Sequence, residues 1–553
     1  MSLRRWAIGT AAVAAVLGAG GFIAFQQYWY YLPGLVQSFR DPVQPNREVV
    51  WEKGPDAPAA TDRPANIILI VADDLGYNDI TISGTGVANG AVPTPNIDSI
   101  ARNGANLTQS YSGNATCAPS RAAMMTGRYA TRFGFEFTPV PVQFAKLLGH
   151  METNGQHPPI YHADLEEDVP PVADMTVPAS ETMLPEMLKT KGYRTLMLGK
   201  WHLGETATSR PEARGFDEYL GFLAGAALFG DSSDPNIVEA RQDFDPIDKF
   251  LWANLPFAVV NNNKPGRFKP SKYMTDYLSE EAAKAIDANK NRPFFMYVAY
   301  NAPHTPLQAL KSDYDALSGI ENHRLRVYAA MVKSLDRGVG TVLQAVKDAG
   351  IEDNTLIIFT SDNGGAHYIG LPEINKPFRG WKATFFEGGI RVPMLVKWPA
   401  KIKPGATFAG AAGHVDIFAT AAAAAGAAAP EGKPMDGVNL VPFITGEAQG
   451  APHQTMFWRS GHYKVLLAGD WKLQVSARPA KSWLYNLKDD PAEKTNLAET
   501  NAEKLAGMNA LLDKIDGEQA KPAWPSLQEG AIAIDRPLDT PEVKDEEYIY
   551  WPN

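Results

Sequence analysis

The chain has 553 residues, enough for one large α/β domain with a smaller appended domain or for about three or four average domains. Hydrophobic residues make up 45% and charged residues 21%, which is typical of globular proteins and excludes wholesale disorder and a multi-span membrane protein. The formal net charge of −10 argues against nucleic acid as the main partner. The single cysteine, Cys117, excludes an intrachain disulfide and a cysteine-built zinc site.

The first 40 residues have the features of a membrane anchor. Residues 6–25 are uncharged and mostly apolar, a length that spans a bilayer, and they follow Arg4 and Arg5. The aromatic residues 28–31 are typical of a membrane interface. A cleaved signal peptide is the alternative, because small residues around positions 18–21 could be cut. Both alternatives place the rest of the chain outside the cytoplasm, either anchored in the periplasm or outside the cell, or secreted.

Five short apolar runs rich in β-branched and aromatic residues end abruptly at polar or charged residues. They predict buried parallel strands at residues 66–72, 193–198, 293–300, 355–360 and 392–398. Helical patterns lie between them, notably at residues 180–191 and in the amphipathic stretch 325–349. This alternation predicts an α/β fold with a large, mostly parallel sheet sandwiched by helices.

Polar side chains follow four of the five predicted strands. In open α/β sheets, ligands bind beyond the carboxyl ends of the strands, so these side chains are expected to converge. Taken one at a time, each has an ordinary structural explanation, such as an Asx turn or a solvated lysine. Together they indicate a functional site at one edge of the sheet. The side chains are Asp73, Asp74, Lys200, His202, His304, Asp362 and Asn363.

The residue types at this edge indicate its chemistry. Its oxygen ligands favour calcium, with magnesium as the alternative, over zinc or copper. They are Asp73, Asp74, Asp362 and Asn363. Positive charge suited to a tetrahedral oxyanion comes from Arg121, Lys200 and Lys382. His202 and His304 can transfer protons near neutral pH. An anionic ester is the substrate that such a pocket fits.

Cys117 is the candidate nucleophile. Pro119 and the helix formers after it predict that Cys117 lies at a helix N-terminus, where free N–H groups attract an anion. A lone cysteine is otherwise most simply a small buried hydrophobic residue. The convergence of the other groups favours the catalytic interpretation.

These motifs resemble a known family. Cys117-Ala118-Pro119-Ser120-Arg121, followed by Thr126-Gly127-Arg128, resembles the signature of the type I sulfatases, a branch of the alkaline phosphatase superfamily. Residues 199–204 resemble the second motif of that family, and the resemblance covers residues 64–497 with no departure at a catalytic position. It implies an alkaline-phosphatase-like catalytic domain at residues 65–440 and a smaller C-terminal α+β subdomain with a tail at residues 441–553. Residues 1–40 are then the anchor or signal segment, and residues 41–64 a linker.

The resemblance also implies a mechanism. Cys117 would be oxidised by a formylglycine-generating enzyme to formylglycine, whose hydrated aldehyde attacks organic sulfate monoesters of aryl, steroid or sugar alcohols. Asp362 assists the attacking hydroxyl, and His304 protonates the departing alcohol. His202 then helps to expel sulfate. Arg121 and Lys200 would hold the diol, Lys200, His304 and Lys382 the substrate, and the side chain at position 117 would complete the metal site.

Two other functions remain as alternatives. A phosphate or phosphonate ester hydrolase of the same superfamily would use the same metal and cationic pocket. A catalytically silent anion- or glycan-binding protein would result if Cys117 were never oxidised, but a binding protein has little use for two proton-transfer histidines.

Outside the motifs, the aromatic residues of segment 222–269 either line an apolar subsite or pack an insertion.

Overall fold

The computed structural model describes residues 28–57, 63–150, 156–262, 264–430 and 432–553. The predicted membrane-spanning run, residues 6–25, lies outside these ranges. Among the described residues, no helix combines the length and the apolar character needed to cross a bilayer.

A ten-stranded sheet organises the larger part of the chain. Its order is β10-β2-β9-β8-β1-β7-β3-β4-β5-β6. The strands are β1 (Asn66–Ala72), β2 (Ala105–Leu107), β3 (Arg194–Lys200), β4 (Glu218–Phe222), β5 (Val259–Asn261), β6 (Lys264–Phe268), β7 (Phe294–Ala299), β8 (Thr355–Ser361), β9 (Met394–Lys397) and β10 (Ala406–Phe408). The five central strands, from β8 to β4, run parallel. Four of the five predicted strands are therefore confirmed as parallel strands.

The prediction of a parallel strand at residues 392–398 was wrong in direction. A strand forms there, β9, but it runs antiparallel to both of its neighbours, β8 and β2. A continuous apolar run reports burial on both faces and carries no information about strand direction.

Alternate side chains of β1 enter two separate cores, one on each face of the sheet. Ile68 and Ile70 face the core formed with the long helices, whereas Ile67 and Leu69 face the core on the other side. Helices cover both faces, which confirms the α/β architecture. The helices used below are α1 (Leu32–Arg40), α2 (Pro95–Arg102), α3 (Cys117–Thr126), α4 (Val142–Gly149), α5 (Leu184–Lys189), α6 (Asp248–Asn254), α7 (Met274–Asn289), α8 (His323–Asp348), α9 (Val415–Ala424) and α10 (Ala502–Asp516).

A second, antiparallel sheet forms the smaller C-terminal region. It contains β11 (Thr455–Ser460), β12 (Tyr463–Ala468), β13 (Trp471–Ala477) and β14 (Ala480–Asn486), and α10 packs against it. The chain then returns to the larger region, because Gln528–Ala533 pairs with both Tyr548–Pro552 and Ile160–Tyr161. The tail is thereby a structural part of the molecule.

The aromatic residues of segment 222–269 pack the insertion. Phe229 is fully buried and stacks on Tyr273. Phe250, on α6, contacts the rings of Trp29 and Phe144, which come from two distant parts of the chain. At these positions the aromatic residues therefore pack the insertion and do not line an apolar subsite.

Candidate active site

The parallel pairing of β1 and β8 builds the acidic half of the site. Ala72 and Ser361 are paired at the carboxyl ends of these strands, so the residues that follow them are adjacent. The backbone N–H of Asp74 donates to Oδ1 of Asp362 (3.1 Å), and Nδ2 of Asn363 donates to Oδ1 of Asp74 (2.8 Å). Asp74 has a φ of 60°, which turns the chain sharply after β1.

Cys117 is the first residue of α3 and faces this acidic pair. Its Sγ lies 3.6 Å from Oδ1 of Asp73 and 3.8 Å from Oδ1 of Asp74. Burial raises the pKa of Cys117 to about 12, although Lys200 and Lys382 act to lower it. An unmodified thiol at this position is therefore protonated at neutral pH and is a weak nucleophile.

The donor set fits a divalent cation. Ligand atoms of Asp73, Asp74, Cys117 and His304 all lie within 4.8 Å of one another. Oδ1 of Asn363 is buried and has no hydrogen-bond partner among the described residues, as expected for an oxygen reserved for a metal. Carboxylate and amide oxygens dominate the set, which suits calcium or magnesium.

Three buried cations surround the acidic residues. Nζ of Lys200 donates to both carboxylate oxygens of Asp73 (2.8 Å each). Nε of Arg121 donates to Oδ2 of Asp362 (2.9 Å), and Nζ of Lys382 donates to Oδ2 of Asp74 (2.9 Å). Each of the three aspartates is thus paired with at least one cation.

These cations oppose the effect of burial on the carboxylates. Burial alone would raise the pKa of every buried carboxyl group. Lys382 and His304 overcome it at Asp74, and Arg121 and Lys200 overcome it at Asp362, so both pKa values lie below the ordinary range. Burial prevails at Asp73, whose pKa rises to about 7 despite Lys200, with Asp362 adding to the rise.

His304 has the geometry of a proton donor or acceptor facing the substrate side. Its Nδ1 lies 2.6 Å from the carbonyl oxygen of Thr305, which holds the proton on Nδ1 and leaves Nε2 toward the site, 3.3 Å from Nζ of Lys382. Burial lowers the pKa of His304 to about 3, while Asp74 raises it and Lys382 lowers it further. Only 11% of the His304 side chain and 12% of Lys382 are exposed, whereas Arg121 and Lys200 are fully buried, so substrate approaches from the side of His304 and Lys382.

His202 lies in the loop after β3, two residues beyond Lys200. Its φ of 58° is in the left-handed region, and Gly225 lies directly against its ring. Burial and the charges of Lys200 and Arg121 hold its pKa well below the ordinary value. Its Nδ1 is buried and has no hydrogen-bond partner in the described parts of the chain. His202 is therefore a neutral base close to the positive charges of Lys200 and Arg121.

The site also contains two tyrosines, neither of which the sequence analysis identified. The hydroxyl group of Tyr368 donates to Oδ2 of Asp74 (3.0 Å) and accepts from Nζ of Lys382 (3.1 Å). The hydroxyl of Tyr297, on β7, accepts from Nη1 of Arg121 (3.0 Å). The inward alternation of β7 could have indicated Tyr297, but no pattern in the sequence distinguishes Tyr368.

Comparison with known proteins identifies the family. The Sulfatase family model matches residues 65–427, and the model described as "N-sulphoglucosamine sulphohydrolase, C-terminal" matches residues 379–520. The chain belongs to the sulfatase family. It is thus a sulfuric ester hydrolase, which catalyses the hydrolysis of organic sulfate esters.

Relatives and solved structures agree with this assignment. N-acetylgalactosamine-6-sulfatase of Mus musculus is 32% identical over 75% of this sulfatase and 73% of its own chain. Steryl-sulfatase of Mus musculus is 29% identical over 74% and 70%. The crystal structure of Ps i-CgsB in complex with k-i-k-neocarrahexaose superposes with a TM-score of 0.68 at 34% identity, covering 84% of this chain and 95% of that one. The phosphonate monoester hydrolase of Agrobacterium radiobacter shares the fold, with a TM-score of 0.56 at 18% identity over 82% and 96%.

Proposed function

We propose that the nucleophile of this sulfatase is a formylglycine made from Cys117. The observation that carries the proposal is the position of Cys117, at the start of α3 and 3.6 Å from a carboxylate of the acidic cluster. A thiolate attacking sulfur would leave an S-sulfonated cysteine that needs an external reductant. A geminal diol instead releases sulfate by reforming its aldehyde. The modification therefore converts a poor nucleophile into one that regenerates itself.

The side chains of the site can then be given roles. One hydroxyl of the diol passes its proton to the carboxylate of Asp362 and attacks sulfur, and the bond between sulfur and the alcohol oxygen breaks. His304 supplies a proton to that oxygen through Nε2, for which the ring must enter the step protonated on both nitrogens. The negative charge of the bound ester favours this form over the neutral ring described above, and the carbonyl oxygen of Thr305 accepts from Nδ1 in both forms. His202 removes the proton of the second hydroxyl, and the bond to sulfate breaks as the aldehyde reforms. Lys200 and Lys382 hold the sulfate oxygens.

Peptide mass spectrometry tests the modification. Trypsin releases residues 103–121 as one peptide, and we expect its mass to be lower than encoded by the difference between CH₂SH and CHO. Cys117→Ala should abolish turnover while metal binding is largely retained. An active enzyme whose peptide carries only unmodified cysteine would refute the proposal.

We propose calcium as the bound metal, held by Asp73, Asp74, Asp362 and Asn363 together with the residue at position 117. When bound there, the ion would supply positive charge that activates the diol and neutralises the sulfate. Four protein oxygens plus those of the nucleophile and substrate give the six or more ligands that calcium prefers. Elemental analysis should find one calcium per chain, which Asp362→Ala should remove together with activity. Stoichiometric zinc, or full activity after chelation, would exclude calcium.

We propose a sulfated carbohydrate as the substrate class. This is supported by the relative named for N-acetylgalactosamine 6-sulfate and by the 34% identical structure that binds a neocarrahexaose. The steryl-sulfatase relative supports a steroid sulfate instead, at lower identity. Comparing kcat/KM for sulfated galactose and N-acetylgalactosamine oligosaccharides, a steroid sulfate, an aryl sulfate and an aryl phosphate decides the class. A preference for the aryl phosphate would favour the phosphoesterase alternative.

We propose that residues 6–25 anchor the enzyme with its catalytic region outside the cytoplasm. The support is their length, their lack of charge and the two arginines that precede them. Deleting residues 1–27 should release soluble, active enzyme and should preserve the contact between Trp29 and Phe250, which deletion of residues 1–40 would remove. Recovery of the wild-type protein in the soluble fraction, without peptides from residues 1–25, would establish cleavage instead.

A further inference from the structure

Exposed large hydrophobic side chains are concentrated in one short part of the described chain. Seven of the ten lie between residues 28 and 43. We call these seven the apolar strip: Tyr28, Tyr31, Leu32, Leu35, Val36, Phe39 and Val43. Exposed hydrophobic residues scattered singly are ordinary, but a contiguous group indicates a surface that has a partner.

The geometry of α1 turns the strip away from the protein. Leu32, Leu35, Val36 and Phe39 follow the spacing of one helical face, and Phe39 is the most exposed of the strip, at 81%. The helix meets α6 through Gly34, whose N–H donates to Oδ1 of Asn254 (2.6 Å). A Cβ at Gly34 would lie only 2.6 Å from the carbonyl oxygen of Ala253, so the glycine allows this close approach.

The neighbouring sequence indicates what covers the strip. The uncharged apolar run of residues 6–25 ends just before Tyr28, so the strip continues directly from the proposed anchor. Tyr28 and Tyr31 are aromatic residues of the kind that lie at lipid headgroups. Basic side chains flank the strip, with Arg40 at the end of α1 and Lys249, whose Nζ lies 5.5 Å from the ring centre of Tyr30. Apolar, aromatic and basic groups in this order match a bilayer interface.

We propose that α1 lies in the plane of the membrane interface, with the apolar strip in contact with lipid. The inference rests on the proposed anchoring and adds a second, peripheral contact to it. The partner is the bilayer surface itself. A single spanning segment leaves the attached domain free to tilt, whereas a spanning segment and an interfacial helix together restrict the orientation of the domain.

The contact extends from α1 toward the active site. Oδ2 of Asp248, on α6, accepts from the N–H of Gln242 (2.9 Å), and Nε2 of Gln242 donates to the carbonyl oxygen of Tyr368 (3.0 Å). Tyr368 in turn contacts Asp74. The helix that supports α1 is thus joined to the wall of the site, so membrane contact fixes the direction in which the site faces.

Site-directed spin labelling of the full chain in vesicles tests this contact. In a Cys117→Ala background, Phe39→Cys carries the label on the strip, and Val543→Cys, another exposed apolar position, on the tail, serves as control. The vesicles contain phosphatidylethanolamine and phosphatidylglycerol. We expect the label at position 39 to be relaxed more by oxygen than by a water-soluble nickel complex, and the label at position 543 to behave oppositely. Matching accessibility at the two positions would overturn the inference.

A third label separates this result from the anchoring proposal. A label at Val16→Cys reports on the anchor. If the label at position 16 contacted lipid while the label at position 39 contacted water, the anchoring proposal would stand and the interfacial position of α1 would be rejected. If the leader is cleaved, adding vesicles to the soluble labelled protein tests position 39 alone. The double variant Leu35→Gln, Phe39→Gln, otherwise with the native Cys117, should keep its turnover of a soluble aryl sulfate. In vesicles it should show faster hydrogen exchange in α1.

Discussion

Tyr368 illustrates how a site residue can lie outside every sequence motif. It reaches Asp74 and Lys382 from a short 3₁₀ turn, five residues beyond Asn363. Burial and Asp74 keep its pKa well above the ordinary value, so it remains a hydrogen-bond donor to the carboxylate at all working pH values. We expect it to act as a positioning residue, because it contacts Asp74, a proposed metal ligand, and Lys382, which is proposed to hold sulfate.

We expect Tyr368→Phe to lower kcat/KM for an aryl sulfate by about 10-fold, since a hydrogen bond to a charged group contributes ~1.5–3 kcal/mol, part of which water replaces. The thermal midpoint should change little. Tyr550→Phe is the matched control, because within the described residues its hydroxyl bonds only to the carbonyl oxygen of Pro158, away from the cluster. Equal activity of the two variants would show that Tyr368 does not contribute to catalysis.

At the scale of single residues, the sequence predicted much of the site for a simple reason. Polar residues that directly follow buried strands must lie at the strand ends, so Asp73, Asp74, Asp362 and Asn363 could be placed together. The partners of each cation could not be predicted. Whether Lys200 contacts Asp73 or Asp362 depends on distances of a few ångströms, which periodicity does not encode.

Among the elements, the loop after β4 controls His202. Gly225 in this loop lies so close to His202 that a Cβ would be 2.8 Å from both Cε1 and Nε2 of the ring. Only a glycine permits this approach, because such a contact is shorter than van der Waals separation. The loop thereby fixes the direction of the imidazole.

We expect Gly225→Ala to displace the imidazole ring and reduce kcat by about 10-fold or more, because a misplaced proton acceptor loses much of a general base's contribution. KM should change less, since the substitution leaves in place the lysines that are proposed to hold the sulfate. Gly319→Ala is the control, because no atom in the described parts of the chain lies within 4 Å of the position that its Cβ would take. If Gly225→Ala retained full kcat, His202 would not be the base for sulfate release.

The strands and long helices were predictable as elements because each is long and strongly patterned. The amphipathic stretch 325–349 corresponds to α8, and the run 66–72 coincides with β1. Strand direction and the antiparallel C-terminal sheet were harder to predict from the sequence, because they depend on pairing partners that are far apart in the chain.

At the scale of the whole molecule, Glu529 connects three separate parts of the chain. Its carboxylate lies 2.9 Å from Nε2 of His162, in the segment after Ile160–Tyr161, and 3.2 Å from Nε2 of His462, in the turn just before β12. Arg478, after β13, also donates to it. Burial raises the pKa of Glu529, but these three partners overcome it and lower the pKa to about 2.

A carboxylate with a lowered folded-state pKa stabilises the fold above its unfolded value of about 4.3, and this contribution is lost as the pH falls toward the folded value. We expect Glu529→Gln to reduce the free energy of unfolding by about 1–3 kcal/mol at pH 7. The deficit should narrow as the pH falls below about 4.3. Urea unfolding of wild type and variant from pH 5 to pH 3.5 measures it. A deficit that grows over this range would contradict this account.

The pairing of β1 with β8 has a consequence for biosynthesis. Asp74 and Asp362 are separated by 288 residues, and contacts of such long sequence separation form late and slowly. A ribosome must complete about two-thirds of the chain before Asp362 and Asn363 emerge. Asp73, Asp74 and Cys117 therefore spend that interval without these two partners. Uptake of the proposed calcium should therefore coincide with closure of the central sheet, and the moment of uptake should report when a newly made chain has acquired its full topology.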